Sequence, residues 1–459
     1  MGACLRISNT DNAYLKKYEY ANASAEDFWN TIAQVSGKPA DRIMSSFVVQ
    51  PGVPLVIFSE SCDEGKTHVK LTQQRYLYDR KLLESESPEG WDIPVCVKGS
   101  TETCQLLTGS ASSLTVPGCK PMYGNAGARG YYRTAYTDQL SQQLATTAEN
   151  ALTPAEAIMF TADTWGAIRI AREDVGAFLS LAHSFRFARS SALQSQVHNS
   201  LRYMGDYLTT AADRPQYQKW LRDELEPEMD KIGWSAGPDE SEDIRQIRGY
   251  VLATLGLTAD DPRAIAEAQS IAKKDLAKEP VDPTLVRSAL MIAARHGDVQ
   301  LFEAYLARLR SPLNPEDYIH YVGGITGFTQ PALIQRALEF FLSPDTRSQD
   351  AIIAFTGMLS NPRSREQSWS FIREHWDAVE KKVTPFAAGY LVDAGGTFCD
   401  AKNRDEVKAF FTTHKIPTAG KRVDQAVERI DACIDLTSHQ TRKLEAWLDA
   451  QGTKTHVGQ

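Results

Sequence analysis

The chain has 459 residues, 42% of them hydrophobic and 24% charged, with a formal net charge of −8. That length supports two or three domains and a sizeable core, and the acidic balance argues against a general nucleic-acid binder, which presents a basic face. No apolar run approaches the roughly 18 residues that span a bilayer, and the first twenty residues lack the apolar core of a signal peptide, so a soluble chain of unassigned compartment is expected.

Residues 1–46 read as helical. Ser24 is placed to cap a helix, with Asp27 three positions on, and Phe28, Trp29, Ile32 and Val35 follow at helical spacing. Ser36-Gly37-Lys38-Pro39 ends that helix, and a second runs from Ala40 to Phe47. Residues 47–137 change character. Leu55–Phe58 and His68–Gln73 read as strands joined by the turn Asp63-Glu64-Gly65-Lys66. Trp91–Val97, Thr103–Leu107 and Gly130–Tyr136 are further strands, and this spacing suggests a small β-sandwich.

Residues 138–450 are helical almost throughout, with helices separated by short Asp-, Asn- and Pro-rich turns such as Thr258–Pro262 and Glu279–Pro283. Consecutive helical hairpins of this kind stack into an α-solenoid of irregular HEAT- or armadillo-like repeats. The fold class expected is therefore mainly α with a small β domain, a β-sandwich followed by the solenoid. Residues 451–459 read as a flexible polar tail.

Seven cysteines occur without any C-x-x-C, so neither a zinc ribbon nor a thioredoxin-type site is expected. Most are expected as free, buried thiols. The sharper alternative is a disulfide between Cys399 and Cys433, which would imply an oxidising compartment.

Several segments are weighed as sites. In Gly130-Tyr-Tyr-Arg133-x-x-Tyr136, Arg133 offers a planar fork for a carboxylate, against a structural ion pair. Arg347, in Arg347-Ser-Gln-Asp350, faces either a substrate cavity or Asp350 at a helix start. Gly323-Gly324-Ile-Thr-Gly327 lacks the Lys-Ser/Thr of a phosphate loop and reads as close helix approach. Gly124-x-x-Gly127-x-x-Gly130 precedes a strand, whereas a dinucleotide fingerprint opens a helix. His296 reads as part of a helix end, and His183, His320 and His375 as structural. Asn22-Ala23-Ser24 fits a glycosylation acceptor.

Taken in order, Tyr20–Ser24 with Asp27-Phe28-Trp29, Ser36–Pro39 with Gln50–Pro54, Trp91–Val95, Gly130–Tyr136, and Arg347–Asp350 with Asn361, Trp369 and His375-Trp376 resemble the C-terminal part of the gluzincin zinc aminopeptidases. That family includes aminopeptidase N and the endoplasmic-reticulum aminopeptidases. The chain departs from its pattern at Pro154–Ala157, where an Asp-Arg pair is usual, and at Phe47 or Val48, where Trp is frequent. None of its nine histidines lies in H-E-x-x-H, the spacing that puts two imidazoles on one helix face with a glutamate base.

The resemblance implies that residues 1–46 are a remnant of a catalytic domain, and that Met1 falls inside it, as in a truncated product or an excised segment. It implies zinc in the full-length parent and no cofactor, metal ligand or catalytic residue in this chain. Arg347 and Arg133 are the candidate substrate-cavity contacts. The function expected is the non-catalytic region that shapes and closes a peptide cavity, so the chain alone is inactive. Peptides or the missing catalytic domain are its partners, with self-association through the surface that domain would cover, and with no nucleic acid and no membrane segment. The alternative is a standalone helical scaffold that binds peptide or protein. An unrelated serine hydrolase is disfavoured, since nothing resembles G-x-S-x-G.

Overall fold

The computed structural model describes residues 12–83, 90–311, 313–417 and 419–456. They are mainly helical with a small amount of sheet, and divide into two compact units, residues 1–173 and 174–459.

In the first unit a helical stretch over residues 12–17 precedes helices α1 (Ala25–Ser36) and α2 (Ala40–Val48). Ser24 and Asp27 form a reciprocal capping box: the Asp27 amide donates to Ser24 Oγ at 3.2 Å and the Ser24 amide to Asp27 Oδ2 at 2.9 Å. Gly37, at φ 67°, ends α1 in the left-handed conformation that glycine adopts without a Cβ penalty.

Strands β1 (Pro54–Asp63) and β2 (Lys66–Arg75) form a fully paired hairpin from Pro54↔Arg75 to Asp63↔Lys66. Glu64 and Gly65 both take positive φ, as a two-residue hairpin turn that matches strand twist requires. After the short α3 (Arg80–Leu83) come β3 (Ile93–Lys98), β4 (Glu102–Leu107), β5 (Ala111–Pro117) and β6 (Arg133–Tyr136). The main sheet has the order β5-β2-β1-β6, with β6 parallel to β1, and β3 and β4 pair separately.

Helices α4 (Asp138–Ala151) and α5 (Pro154–Arg169) belong to this unit rather than to the helices that follow. The reason is packing: α5 lies on β6, and the rings of Phe58, Tyr136 and Phe160 close the layer between them. A carboxylate on α5 also satisfies β6. Asp163 Oδ2 accepts from the amide and hydroxyl of Thr134 at 2.9 and 2.8 Å.

The second unit contains α6 (Val175–Phe185), α7 (Ser191–Tyr207), α8 (Arg214–Ile232), α9 (Glu242–Leu257), α10 (Pro262–Leu276), α11 (Pro283–Arg295) and α12 (Val299–Leu309). It continues with α13 (Pro315–Ile325), α14 (Pro331–Leu342), α15 (Ser348–Ser360), α16 (Arg365–Glu374), α17 (Trp376–Lys382), α18 (Pro385–Gly395), α19 (Ala401–Thr413) and α20 (Gly420–His456). Alternate helices form a layer, with α7, α9, α11, α13, α15, α18 and α20 packing in succession. Proline at the first turn after a side-chain cap starts α10, α11, α13 and α18. Gly324 explains the close approach of α13: a Cβ there would lie 3.0 Å from the Tyr305 ring and 3.1 Å from Leu290 Cβ.

Some expectations are corrected. The last sheet strand covers only Arg133–Tyr136, because Tyr132 turns back to donate to Gly124 O at 2.7 Å. Strand β5 is not anticipated from sequence; only Leu114 and Val116 of its seven residues point inward, too little alternation to stand out. The stretch expected as a tail is helical as far as His456, since a helix already long extends at little cost.

Free thiols are not what the structure contains at the six described cysteines. Cys62–Cys119, Cys96–Cys104 and Cys399–Cys433 are disulfides. Cys62 and Cys119 are brought together because Lys66 pairs with Gly118 alongside the hairpin, and Cys96 and Cys104 face each other in register across β3 and β4. Cys4 lies outside the described residues.

Candidate functional site: a basic concavity in the helical unit

Arg214, Arg295 and Arg363 reach one solvent-open concavity of about 420 Å³, together with Gln218, Asp260 and His296. Two of the guanidiniums come from helix ends and the third from a turn between helices. Arg295 occupies the last turn of α11, where a cation suits the helix dipole. Its fork bonds Leu257 O, and its Nη2 sits 2.8 Å from Asp260 Oδ1. Asp260 reaches this position from a left-handed turn residue, φ 48°, a conformation that short polar side chains tolerate.

Arg214 opens α8 and donates to Gly205 O at 3.0 Å. A cation in a first turn opposes the helix dipole, so helix stability does not account for an arginine here. Arg363 lies in the turn between α15 and α16, which Asn361 shapes by accepting the Arg363 amide at 3.0 Å.

The balance is positive: three guanidiniums line the concavity against one carboxylate. Burial, with the charge of Arg363 added, pushes the Arg295 pKa down, while Asp260 opposes. Burial and Arg295 also push His296 below the ordinary histidine range, so it stands as a neutral donor and acceptor. Asp206 shares the field of Arg365, Arg363, Arg214 and Arg295. Chemically, the arrangement suits an anionic oxygen group: a guanidinium fork grips carboxylate or phosphate bidentately.

Of the residues singled out in sequence, His296 lines this concavity, and Arg133 and Arg347 lie elsewhere. Arg133 is in the first unit; its Nη1 donates to Ala162 O and Asp163 Oδ1, each at 3.1 Å, and its guanidinium lies over the Tyr76 ring. Burial raises the Asp163 carboxyl to about 6, and Arg133 and Thr134 oppose that shift. Arg347 is in the second unit, at the N-cap of α15, and grips Asp350 through Nε at 2.7 Å and Nη2 at 3.0 Å while stacking over Tyr318. Its side chain is 61% exposed, so the pairing with Asp350 does not bury it.

His296 caps α11 and also lines the basic concavity. His183 contacts Glu224 Oε2 at 2.8 Å, and His375 stacks on Phe371. The Gly124–Gly130 run makes close packing: a Cβ on Gly124 would lie 2.5 Å from the Phe58 ring. Asn22 is exposed in the turn before α1.

Sequence reasoning missed the concavity itself, because its arginines, Arg214, Arg295 and Arg363, are widely separated along the chain and share no motif. Among the described residues, Cys96, Glu102 and Cys104 are the one close group of metal-ligand types, and the two sulfurs are joined in a disulfide.

Residues 122–432 match the family described as ERAP1-like C-terminal domain. The chain is 22% identical, over 95% of its length, to Aminopeptidase 2 of Candida albicans, and 25% identical, over 91%, to Aminopeptidase M1 of Arabidopsis thaliana. Aminopeptidase M1-A of Oryza sativa subsp. japonica is 24% identical over 91% of the chain. The chain belongs to the ERAP1-like C-terminal domain family, the C-terminal portion of the gluzincin aminopeptidases. It spans about half the length of the curated relatives it matches, from 48% to 50% of these three.

Proposed function

We propose that this chain is the non-catalytic C-terminal region of a zinc aminopeptidase, which shapes and closes the cavity that holds the peptide substrate. The observation that carries the reading is the match to half of each aminopeptidase by a sequence without H-E-x-x-H. The strands are read as a small β-sandwich and the layered helices as an irregular HEAT-like solenoid. A lid of this kind expels water and controls how peptides reach the zinc, which the other half would hold.

The basic concavity supports a peptide-facing role, since three guanidiniums offer a seat for a carboxylate on a peptide. Arg347, with its exposed side chain, is a further cavity contact. The catalytic half docks on α1 and α2, where α2 buries no residue and Val48 and Val49 are 62% and 76% exposed. The same surface drives self-association of the isolated chain. A monodisperse monomer by light scattering would count against that docking face.

The test of the function is an aminopeptidase assay on the purified chain with aminoacyl fluorogenic substrates, with and without zinc, paired with metal analysis. The expected outcome is no turnover and no stoichiometric zinc. Zinc-dependent turnover that survives repeated purification overturns the reading.

A further inference from the structure

A second, enclosed cavity in the helical unit holds two buried polar atoms that the mechanism above does not use. It lies among α6, α7 and α8, has a volume of about 10 Å³, and is lined by Glu228 and His198 together with His183, Arg186 and Glu224 among others. Glu228 is 2% exposed and His198 1% exposed. Glu228 Oε2 and His198 Nε2 both lack a hydrogen-bond partner in the protein. A cavity of roughly 10–15 Å³ accommodates one water.

The imidazole tautomer follows from its neighbours. Thr254 Oγ1 donates its only proton to Tyr250 O at 3.0 Å. The 2.8 Å contact between Thr254 Oγ1 and His198 Nδ1 is therefore donated by the imidazole. Nε2 is left as a bare acceptor, and it requires a donor. A protonated carboxyl supplies one, directly or through a water.

We propose that Glu228, as a neutral acid, and His198, as a neutral imidazole, are bridged by one buried water, and that this joint is a pH-sensitive latch between α7 and α8. Supporting the protonation states, burial raises the Glu228 carboxyl to about 8, opposed by Arg186 and Lys231. Burial, then Arg202, pushes His198 down to about 3.

The other charges around the cavity have partners of their own. Beside α6, His183 and Arg186 engage Glu224, at 2.8 and 3.5 Å. Lys231 stacks on Phe187, and Arg202 bonds Asn199. From α9 come Thr254 and the Tyr250 ring beside His198, and α20 brings the Trp447 ring against Trp220. None of the described residues of α9 or α20 adds a charge to the lining.

The sign of the effect is fixed by linkage. The folded carboxyl holds its proton up to about pH 8, whereas the unfolded one loses it near 4.5. Between these values the unfolded state binds fewer protons, so stability falls as pH rises, by roughly tenfold in the folding equilibrium constant per pH unit, and levels off above.

The test compares denaturant unfolding of the full chain with that of Glu228→Gln from pH 4.5 to 8.5. Glu228→Gln keeps a donor without the titration, so its advantage over the wild type should grow with pH. Parallel pH profiles overturn the latch. Should Glu228→Gln not fold, carbon-13 NMR of the wild type labelled at glutamate decides: one side-chain carboxyl titrating near pH 8 supports the proposal, and none doing so overturns it. A long-lived water contact to the His198 ring is expected in the same spectra, and a dry ring removes the bridge.

Discussion

The Val175 amide donates to the Gln440 side-chain oxygen at 3.1 Å, so a hydrogen bond spanning 265 residues fastens the last helix of the second unit to its first. The contact is reinforced along both helices. Lys443 pairs with Asp174, and the Trp447 ring lies where a Cβ on Gly176 would approach to 2.5 Å. The helical unit is thereby closed on itself, α20 packing on both α6 and α8.

Gly176→Val should therefore lower stability by about 1–3 kcal/mol, the usual range for forcing atoms into a packed site. Because the obstacle is one ring, Gly176→Val with Trp447→Ala should be less destabilised than the sum of the two changes. Thermal or denaturant unfolding of the four chains measures this. Strict additivity would mean that the ring moves aside freely.

The basic concavity yields a binding prediction. Arg363 has its guanidinium at the open face and sits in an exposed turn, so Arg363→Gln should leave unfolding midpoints nearly unchanged. It should weaken binding of a carboxylate-bearing peptide on the order of tenfold, the worth of one charge-assisted hydrogen bond. Calorimetric titration with a peptide and its amidated form checks both parts, and the difference should shrink with added salt. Equal affinities for the two forms would leave the arginines without a ligand role.

Asp163 carries a different expectation. It is buried at 2% exposure and accepts from Arg133 and twice from Thr134. Asp163→Ala strands a guanidinium and a strand amide together, and should cost about 3–5 kcal/mol in the first unit. Arg133→Ala in that background should cost little more, because the partner is already gone. A near-neutral Asp163→Ala in denaturant unfolding would show that Arg133 finds water instead, and would reopen it as a ligand contact.

The sequence was most informative where structure is local. The Ser24–Asp27 cap, the Glu64-Gly65 turn and the prolines at Pro262 and Pro283 each depend on a few neighbouring residues, and each lies where the pattern puts it. It was silent where function depends on assembly. Arg214, Arg295 and Arg363 meet because two helix ends and an interhelical turn converge, and no local preference encodes that. Arg133 and Arg347 stood out by motif, yet each is held by an aspartate, 30 and 3 residues away respectively. A charge at the surface of a motif is often spent on the fold itself, and only the partner's position reveals which.

The cysteines offer the last prediction. Three disulfides account for six of the seven cysteines in the sequence, and disulfides persist in oxidising compartments. Thiol titration of the denatured chain, made without reductant, should find one thiol, that of Cys4, rising to seven after reduction. Cys399–Cys433 closes a separation of 34 residues, so Cys399→Ser with Cys433→Ser should cost roughly 3–4 kcal/mol by loop-closure entropy. The loss should fall on the second unit, where Tyr203 donates to Cys433 Sγ at 3.2 Å and the bridge anchors α20. Seven titratable thiols in the unreduced chain, with full stability retained, would mean that the chain folds in a reducing compartment and that the bridges are dispensable.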